Sequence, residues 1–172
     1  MKNLEIKARF ADLELAQELA RTLGAQDRGV SRDVDTYFRA PRGRLKLRQR
    51  EGEAHGTLIY YERPDTAVSR YSEYSLARVV DSEAMRNLLD ASLGTLVTVS
   101  KTRRLLLYGA TRVHLDVVDG LGCFVELETV MTRQSEQEAR REHELVREAM
   151  ELKGREVVEV SYSDLLLRRG IG

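Results

Sequence analysis

Hydrophobic and polar residues alternate with a period of two along much of this chain, and side chains two apart on a strand share a face. In Asn3-Leu4-Glu5-Ile6-Lys7-Ala8-Arg9-Phe10 the odd positions are polar and the even ones apolar. In Gly43-Arg44-Leu45-Lys46-Leu47-Arg48-Gln49-Arg50 four cations occupy the even positions, opposite Leu45 and Leu47. Arg112-Val113-His114-Leu115-Asp116-Val117 again has a polar even face, and Val125-Glu126-Leu127-Glu128 sets two carboxylates side by side. The segment around Lys101, Arg103 and Arg104 is less clean, because both its faces carry polar residues.

These patterns predict strands over 3–10, 34–38, 43–50, 56–62, 71–80, 97–108, 111–118 and 123–130. The last two are joined by the turn Asp119-Gly120-Leu121-Gly122, where glycine relieves positive φ. Helical periodicity intervenes. Asp12 caps a pattern through Leu13, Ala16, Leu19, Ala20 and Leu23 that Gly24 ends. Ser82 opens a second helix, with Met85, Leu88, Leu89 and Leu93 on one face and Gly94 as its stop. A longer helix is expected over about 134–153, and a short one after Ser163. The order is α+β with sequence-adjacent strands, which points to an antiparallel sheet. A sheet of eight strands tends to curl or close. Periodicity alone leaves open an open sheet with one wet face and a barrel with a polar lumen.

Length and composition narrow the class. The chain of 172 residues fits one domain, 1–172, with a real core, and no linker or internal repeat divides it. Lys plus Arg and Asp plus Glu both total 28, so the balance argues against a duplex nucleic-acid binder or a membrane-surface binder. That balance hides local asymmetry, since Arg39, Arg42, Arg44, Lys46, Arg48 and Arg50 follow one another with no acid among them. Cys123 is the only cysteine, and His55, His114 and His143 lack zinc-ligand spacing. No apolar run approaches spanning length, and the charged start does not resemble a signal peptide, so a cytoplasmic protein is expected.

A wet face normally draws mixed polar residues. Here one strand is all cations and another carries paired carboxylates, a segregation that suits a concave surface where cations collect phosphate oxygens and carboxylates hold a hard metal ion. Taken singly, several residues have plainer readings: Glu5 and Lys7 as a structural ion pair, His114 as a face residue, Tyr60 and Tyr61 as sheet packing.

Asn3-Leu4-Glu5-Ile6-Lys7 resembles the Glu-x-Glu-x-Lys signature of the CYTH superfamily, the triphosphate tunnel metalloenzymes. Lys101-Thr102-Arg103 is similar to that group's Lys-x-Arg segment. Asp116 through Glu128, with Gly120-Leu121-Gly122, resembles its Asp…Gly-Leu-Gly-x-Phe-x-Glu-x-Glu segment, and Ser161-Tyr162-Ser163-Asp164-Leu165-Leu166 its C-terminal Ser-Tyr-x-x-Leu-Leu. The motifs occur in order across the chain. The resemblance implies a closed eight-stranded antiparallel β-barrel with flanking helices. It implies a phosphohydrolase that uses Mg²⁺ or Mn²⁺ on tripolyphosphate or on a nucleoside or thiamine triphosphate. The alternatives are a class IV adenylate cyclase forming cyclic AMP and pyrophosphate, and a non-catalytic binder of polyphosphate or phosphorylated ligands.

By motif position the metal ligands would be Glu5, Glu126, Glu128 and Asp116, with Glu73 lining the same tunnel. Lys7, Arg9, Arg44, Lys46, Arg48, Arg63, Lys101 and Arg103 would contact substrate, and Lys7, Glu126 and Glu128 would serve catalysis. A homodimer is implied only by analogy with the cyclases. Two departures stand out. Asn3 replaces the first signature Glu, and an amide oxygen brings less charge to a metal. Glu62 or Arg63 stands where many members place a tunnel Lys, and alternation cannot point both inward.

Overall fold

The computed structural model describes residues 2–62, 69–131 and 134–170. Its strands are β1 (Lys2–Arg9), β2 (Gln26–Phe38), β3 (Arg44–Arg50), β4 (Gly56–Glu62), β5 (Arg70–Val79), β6 (Thr95–Tyr108), β7 (Thr111–Val118) and β8 (Gly122–Met131). They close into a barrel in the order β1-β5-β4-β3-β2-β6-β7-β8, every neighbouring pair antiparallel. Between the two architectures that alternation allowed, the chain adopts the closed one. Among the described residues four helices accompany the barrel: α1 (Leu13–Thr22), α2 (Ser82–Leu93), α3 (Glu136–Ala149) and α4 (Tyr162–Arg168).

The barrel is polar inside and apolar outside, and the helices supply the cover that its outer face needs. Ile6, Ala8, Leu106, Val113, Leu115, Val125 and Leu127 form one buried cluster with Ala16 and Ala20 of α1 and Val146 of α3. Phe38, Leu47 and Val79 form another, against Met85 and Leu89 of α2. Leu88 and Leu93 of that helix are 62% and 37% exposed, so its buried stripe is narrower than the sequence suggested. A third cluster closes one end. Tyr37 of β2, Val97 and Val99 of β6 and Phe124 of β8 pack with Val158, Val160, Tyr162 and Leu166, which carry the chain across the barrel into α4.

Element boundaries shift for identifiable reasons. Asp81, not Ser82, caps α2, accepting from the Ala84 N–H at 2.9 Å. Ser82 instead accepts from the Gln49 amide. Ser161 opens α4 through a reciprocal capping box with Asp164, so the helix starts earlier than expected. The largest difference is β2, which begins at Gln26 rather than near residue 34. Its first half offers no apolar alternation, and Gly29, at φ 93°, accommodates a register shift against β6 between Asp27 and Val30. No helix among the described residues is long and apolar enough to cross a membrane.

Candidate functional site

The lumen is a cavity of about 460 Å³, a volume usual for small-molecule sites. Among the described residues, seven cationic side chains and five carboxylates line it, which leaves an excess of two positive charges. Directly opposed residues on antiparallel neighbours bring their side chains together, and the register therefore composes the walls.

The acidic wall runs over β1, β8 and β7. Glu5 lies opposite Glu128, which lies opposite Arg112; Lys7 lies opposite Glu126, which lies opposite His114. Arg112 reaches Glu128 at 3.1 Å, and Arg103 of β6 reaches Glu126 at 2.9 Å. Lys7 Nζ stands 4.0 Å from Glu126 and donates to the Val160 carbonyl at 3.1 Å, over the face of Tyr162. His114 lies 3.6 Å from Glu126 and 3.9 Å from Glu128. Burial alone would raise both carboxyls. The Lys7 and Arg103 charges, together with the neighbouring His114, instead hold Glu126 well below its ordinary range, and His114 and Arg112 lower Glu128.

The cationic wall runs over β3, β2 and β6, and its centre is an acid that the strand patterns did not reveal. Asp35 accepts from Lys101 at 2.7 Å, from Lys46 at 3.0 Å, and from Arg48 through Nε and Nη2 at 2.7 and 2.8 Å. Asp33 lies one step along, 3.3 Å from Arg50 and 3.8 Å from Arg48. Burial opposes ionisation of Asp35, yet Arg48, Lys101 and Lys46 hold its carboxyl well below the usual range. For Lys101 burial prevails. Together with the neighbouring Arg48, Arg103 and Lys46 charges, it brings the ammonium down to about 7 against the attraction of Asp35. An ammonium has three donors and a guanidinium five, so binding Asp35 leaves N–H groups on all three cations for a ligand.

Several residues named from the sequence stand elsewhere. Asp116 is fully buried behind the lining, both oxygens engaged by Arg103 at 2.6 Å, and Oδ2 also accepts from the Tyr162 hydroxyl at 2.9 Å. It anchors a cation rather than facing the lumen. Arg9 lies past the closed end, paired with Glu156 at 3.2 Å and stacked over Phe124. Arg44 pairs with Asp164 of α4 at 2.8 Å and is also outside the lining. Glu73 and Glu62 are exposed on the outer side, since Ser72, Tyr74 and Leu76 of β5 and Tyr61 of β4 are the ones that point inward. Arg63 lies outside the described residues. Glu5, Lys7, Lys46, Arg48, Lys101, Arg103, Glu126 and Glu128 all line one cavity.

The donor chemistry of the acidic wall suits a hard cation. Asn3 is 3% exposed, its Nδ2 donates to Glu128 Oε1, and its Oδ1 is buried without a hydrogen-bond partner among the described residues. An orphaned amide oxygen beside carboxylates is an oxygen ligand in waiting. Among the described residues no three carboxylate, imidazole or thiol side chains converge on one point, because Arg103 and Arg112 hold Glu126 and Glu128 in ion pairs. Loading a cation requires those pairs to loosen.

A family model for the CYTH domain matches residues 1–162. No curated protein sequence matches the chain. Among solved structures it is similar to the PH1012 protein of Pyrococcus horikoshii OT3, at TM-score 0.83 and 22% identity over 95% of this chain and 98% of that one. It is similar to a candidate adenylate cyclase from Vibrio parahaemolyticus, at 0.73 and 16% over 96% and 97%. A Hippeastrum candidate adenylyl cyclase described as having a dominant triphosphatase activity aligns at 0.68 and 15% over 100% and 97%. At these identities the neighbours establish the barrel, and the family match does the rest: this chain belongs to the CYTH domain family.

Proposed function

We propose that the protein is a divalent-metal-dependent phosphohydrolase that binds a triphosphate inside the barrel. The observation that carries this reading is the division of one lumen into two walls. Lys46, Arg48 and Lys101 surround one side, Arg103 bridges toward Glu126, and Glu5, Glu126 and Glu128 face them from β1 and β8. A triphosphate carries four to five negative charges, roughly, near neutral pH, as the second ionisation of phosphate near 6 implies. The described lining offers an excess of two positive charges, so one divalent cation brings its complex with the triphosphate close to neutrality.

Asn3, Glu5, Glu126 and Glu128 would hold Mg²⁺ or Mn²⁺, which would supply charge neutralisation and Lewis acidity at the phosphoryl oxygens. The remaining work belongs to the chain. Lys46, Arg48, Lys101 and Arg103 gather phosphate oxygens, with Arg offering paired donors and Lys a compact charge. Asp35 and Asp116 keep those cations extended into the lumen before substrate arrives, so little reorganisation is left for the reaction. Burial and the nearby acids raise the Tyr37 and Tyr162 hydroxyls. They therefore remain donors at any working pH. Lys7 sits at the deep end, where it can stabilise charge on a terminal phosphoryl group.

Product analysis tests the reaction. Incubation with tripolyphosphate, and separately with ATP, in Mg²⁺ or Mn²⁺ and observation by ³¹P NMR should show orthophosphate release that stops with EDTA. Cyclic AMP with pyrophosphate from ATP would replace hydrolysis by cyclisation, and tight binding without turnover would leave a binding module.

A further inference from the structure

Among the described side chains the lumen has a third wall that carries no charge. On the adjacent strands β4 and β5 the inward side chains are Thr57, Ile59, Tyr61, Ser72, Tyr74 and Leu76. Ile59 lies directly opposite Leu76, and Tyr61 directly opposite Tyr74, so two apolar pairs are stacked along this side. Leu76 is 48% exposed and sits where solvent enters. Among the described side chains, the five carboxylates and seven cations of the lining come from the other six strands.

An inorganic polyphosphate is charged along its whole surface. Set against Ile59 and Leu76, its oxygens would lose water and gain no donor in return. A ligand that is anionic on one side and apolar at its end suits all three walls, because the end group removes those aliphatic and aromatic faces from water. We infer that the β4–β5 wall is a subsite for the organic end of the substrate, and that the protein selects an organic triphosphate over inorganic tripolyphosphate. Thr57 and Ser72 add neutral hydroxyls to this wall, which can bond a ring nitrogen or a sugar hydroxyl.

This inference rests on the triphosphate reading, and its test separates the two. Calorimetric affinities and KM values are measured in Mg²⁺ for tripolyphosphate, methyl triphosphate, ATP and thiamine triphosphate. ATP or thiamine triphosphate should bind at least about tenfold more tightly than tripolyphosphate, the discrimination that a single apolar contact region supplies. Methyl triphosphate, with almost no end group, should fall with tripolyphosphate. The two organic ligands distinguish a neutral base from a cationic ring. Leu76→Lys, at a half-exposed position that tolerates the change, should narrow or reverse the preference by weakening the organic ligand and strengthening tripolyphosphate. Thr57→Lys should act in the same direction. Equal or tighter binding of tripolyphosphate by the wild type, or an unmoved preference in both folded variants, overturns the subsite. Absence of binding by all four ligands overturns the triphosphate reading itself.

Discussion

Lys101 donates to Asp35 Oδ2 across 2.7 Å, with the side chains of the two residues 1% and 2% exposed, and this pair organises the cationic side of the lumen. The same carboxylate holds Lys46 and Arg48. Removing its charge leaves three crowded cations with their mutual repulsion uncompensated. Asp35→Asn should therefore lower stability by about 3 kcal/mol or more, as deletion of one partner of a buried ion pair does. Tripolyphosphate should restore more of the melting temperature in this variant than in the wild type, because the anion takes over the role of the lost carboxylate. A melt indistinguishable from wild type would contradict this.

The lowered ammonium of Lys101 couples binding to protons. With its pKa near 7, Lys101 is largely neutral at pH 8.5 in the unliganded protein, and an arriving anion favours the charged form. Binding at pH 8.5 should take up close to one proton, read as a dependence of calorimetric heat on buffer ionisation enthalpy. Lys101→Arg should abolish that uptake while retaining most of the affinity. Between about 7 and the ordinary lysine value the unfolded chain holds a proton that the native state lacks. The contribution of Lys101 to stability therefore rises with pH across that window.

The carboxylates make stability rise with pH as well, in a lower window. Asp35 and Glu126 are held well below their ordinary values, so their contribution is present above about pH 4 and is lost as pH falls through the depressed native values. Thermal melts between pH 5 and 2 should show a steep loss in the wild type and a shallower one in Asp35→Asn.

How far the sequence foretold these features depends on parity and on position along the tunnel. The alternation in β1, β3 and β8 correctly set Glu5, Lys7, Lys46, Arg48, Glu126 and Glu128 on faces that meet in one lumen. Parity gives a face but no depth. Arg9 shares the face of Lys7, and Asp116 that of His114, yet both lie beyond the lining where the chain from Val158 into α4 crosses the barrel. Glu73 was misplaced because β5 has polar residues on both faces, which leaves its parity unmarked. The acid at the centre of the site lay inside the strand expected over 34–38, but Val34-Asp35-Thr36-Tyr37-Phe38 does not alternate cleanly, so its inward face was unmarked. The alternation Ser31, Asp33, Asp35, Tyr37 was nevertheless present in the sequence, and a wider window would have found it.

Asp116 offers a direct check on its corrected role. As the anchor of Arg103, Asp116→Asn should weaken triphosphate binding several-fold without altering the metal concentration that half-saturates turnover. A change in metal dependence alone would return it to the metal-binding residues.

Asn3 tests the opposite wall. Asn3→Glu should lower the Mg²⁺ concentration for half-maximal activity, because a carboxylate replaces the orphaned amide oxygen. It should also lower the melting temperature in EDTA, since a third carboxylate then faces Glu5 and Glu128, and added Mg²⁺ should reverse the loss. An unchanged Mg²⁺ requirement together with an unchanged melt in EDTA would remove Asn3 from the metal site.

The central claim, a triphosphate seated between the cationic and acidic walls, is tested most directly by calorimetric titration of an organic triphosphate in Mg²⁺ into the wild type and Arg48→Ala. The account predicts saturable one-to-one binding that weakens at least about tenfold on loss of Arg48, the scale of one charge-assisted pair. Equal affinity in the two proteins, or no binding to the wild type at any Mg²⁺ concentration, would contradict it.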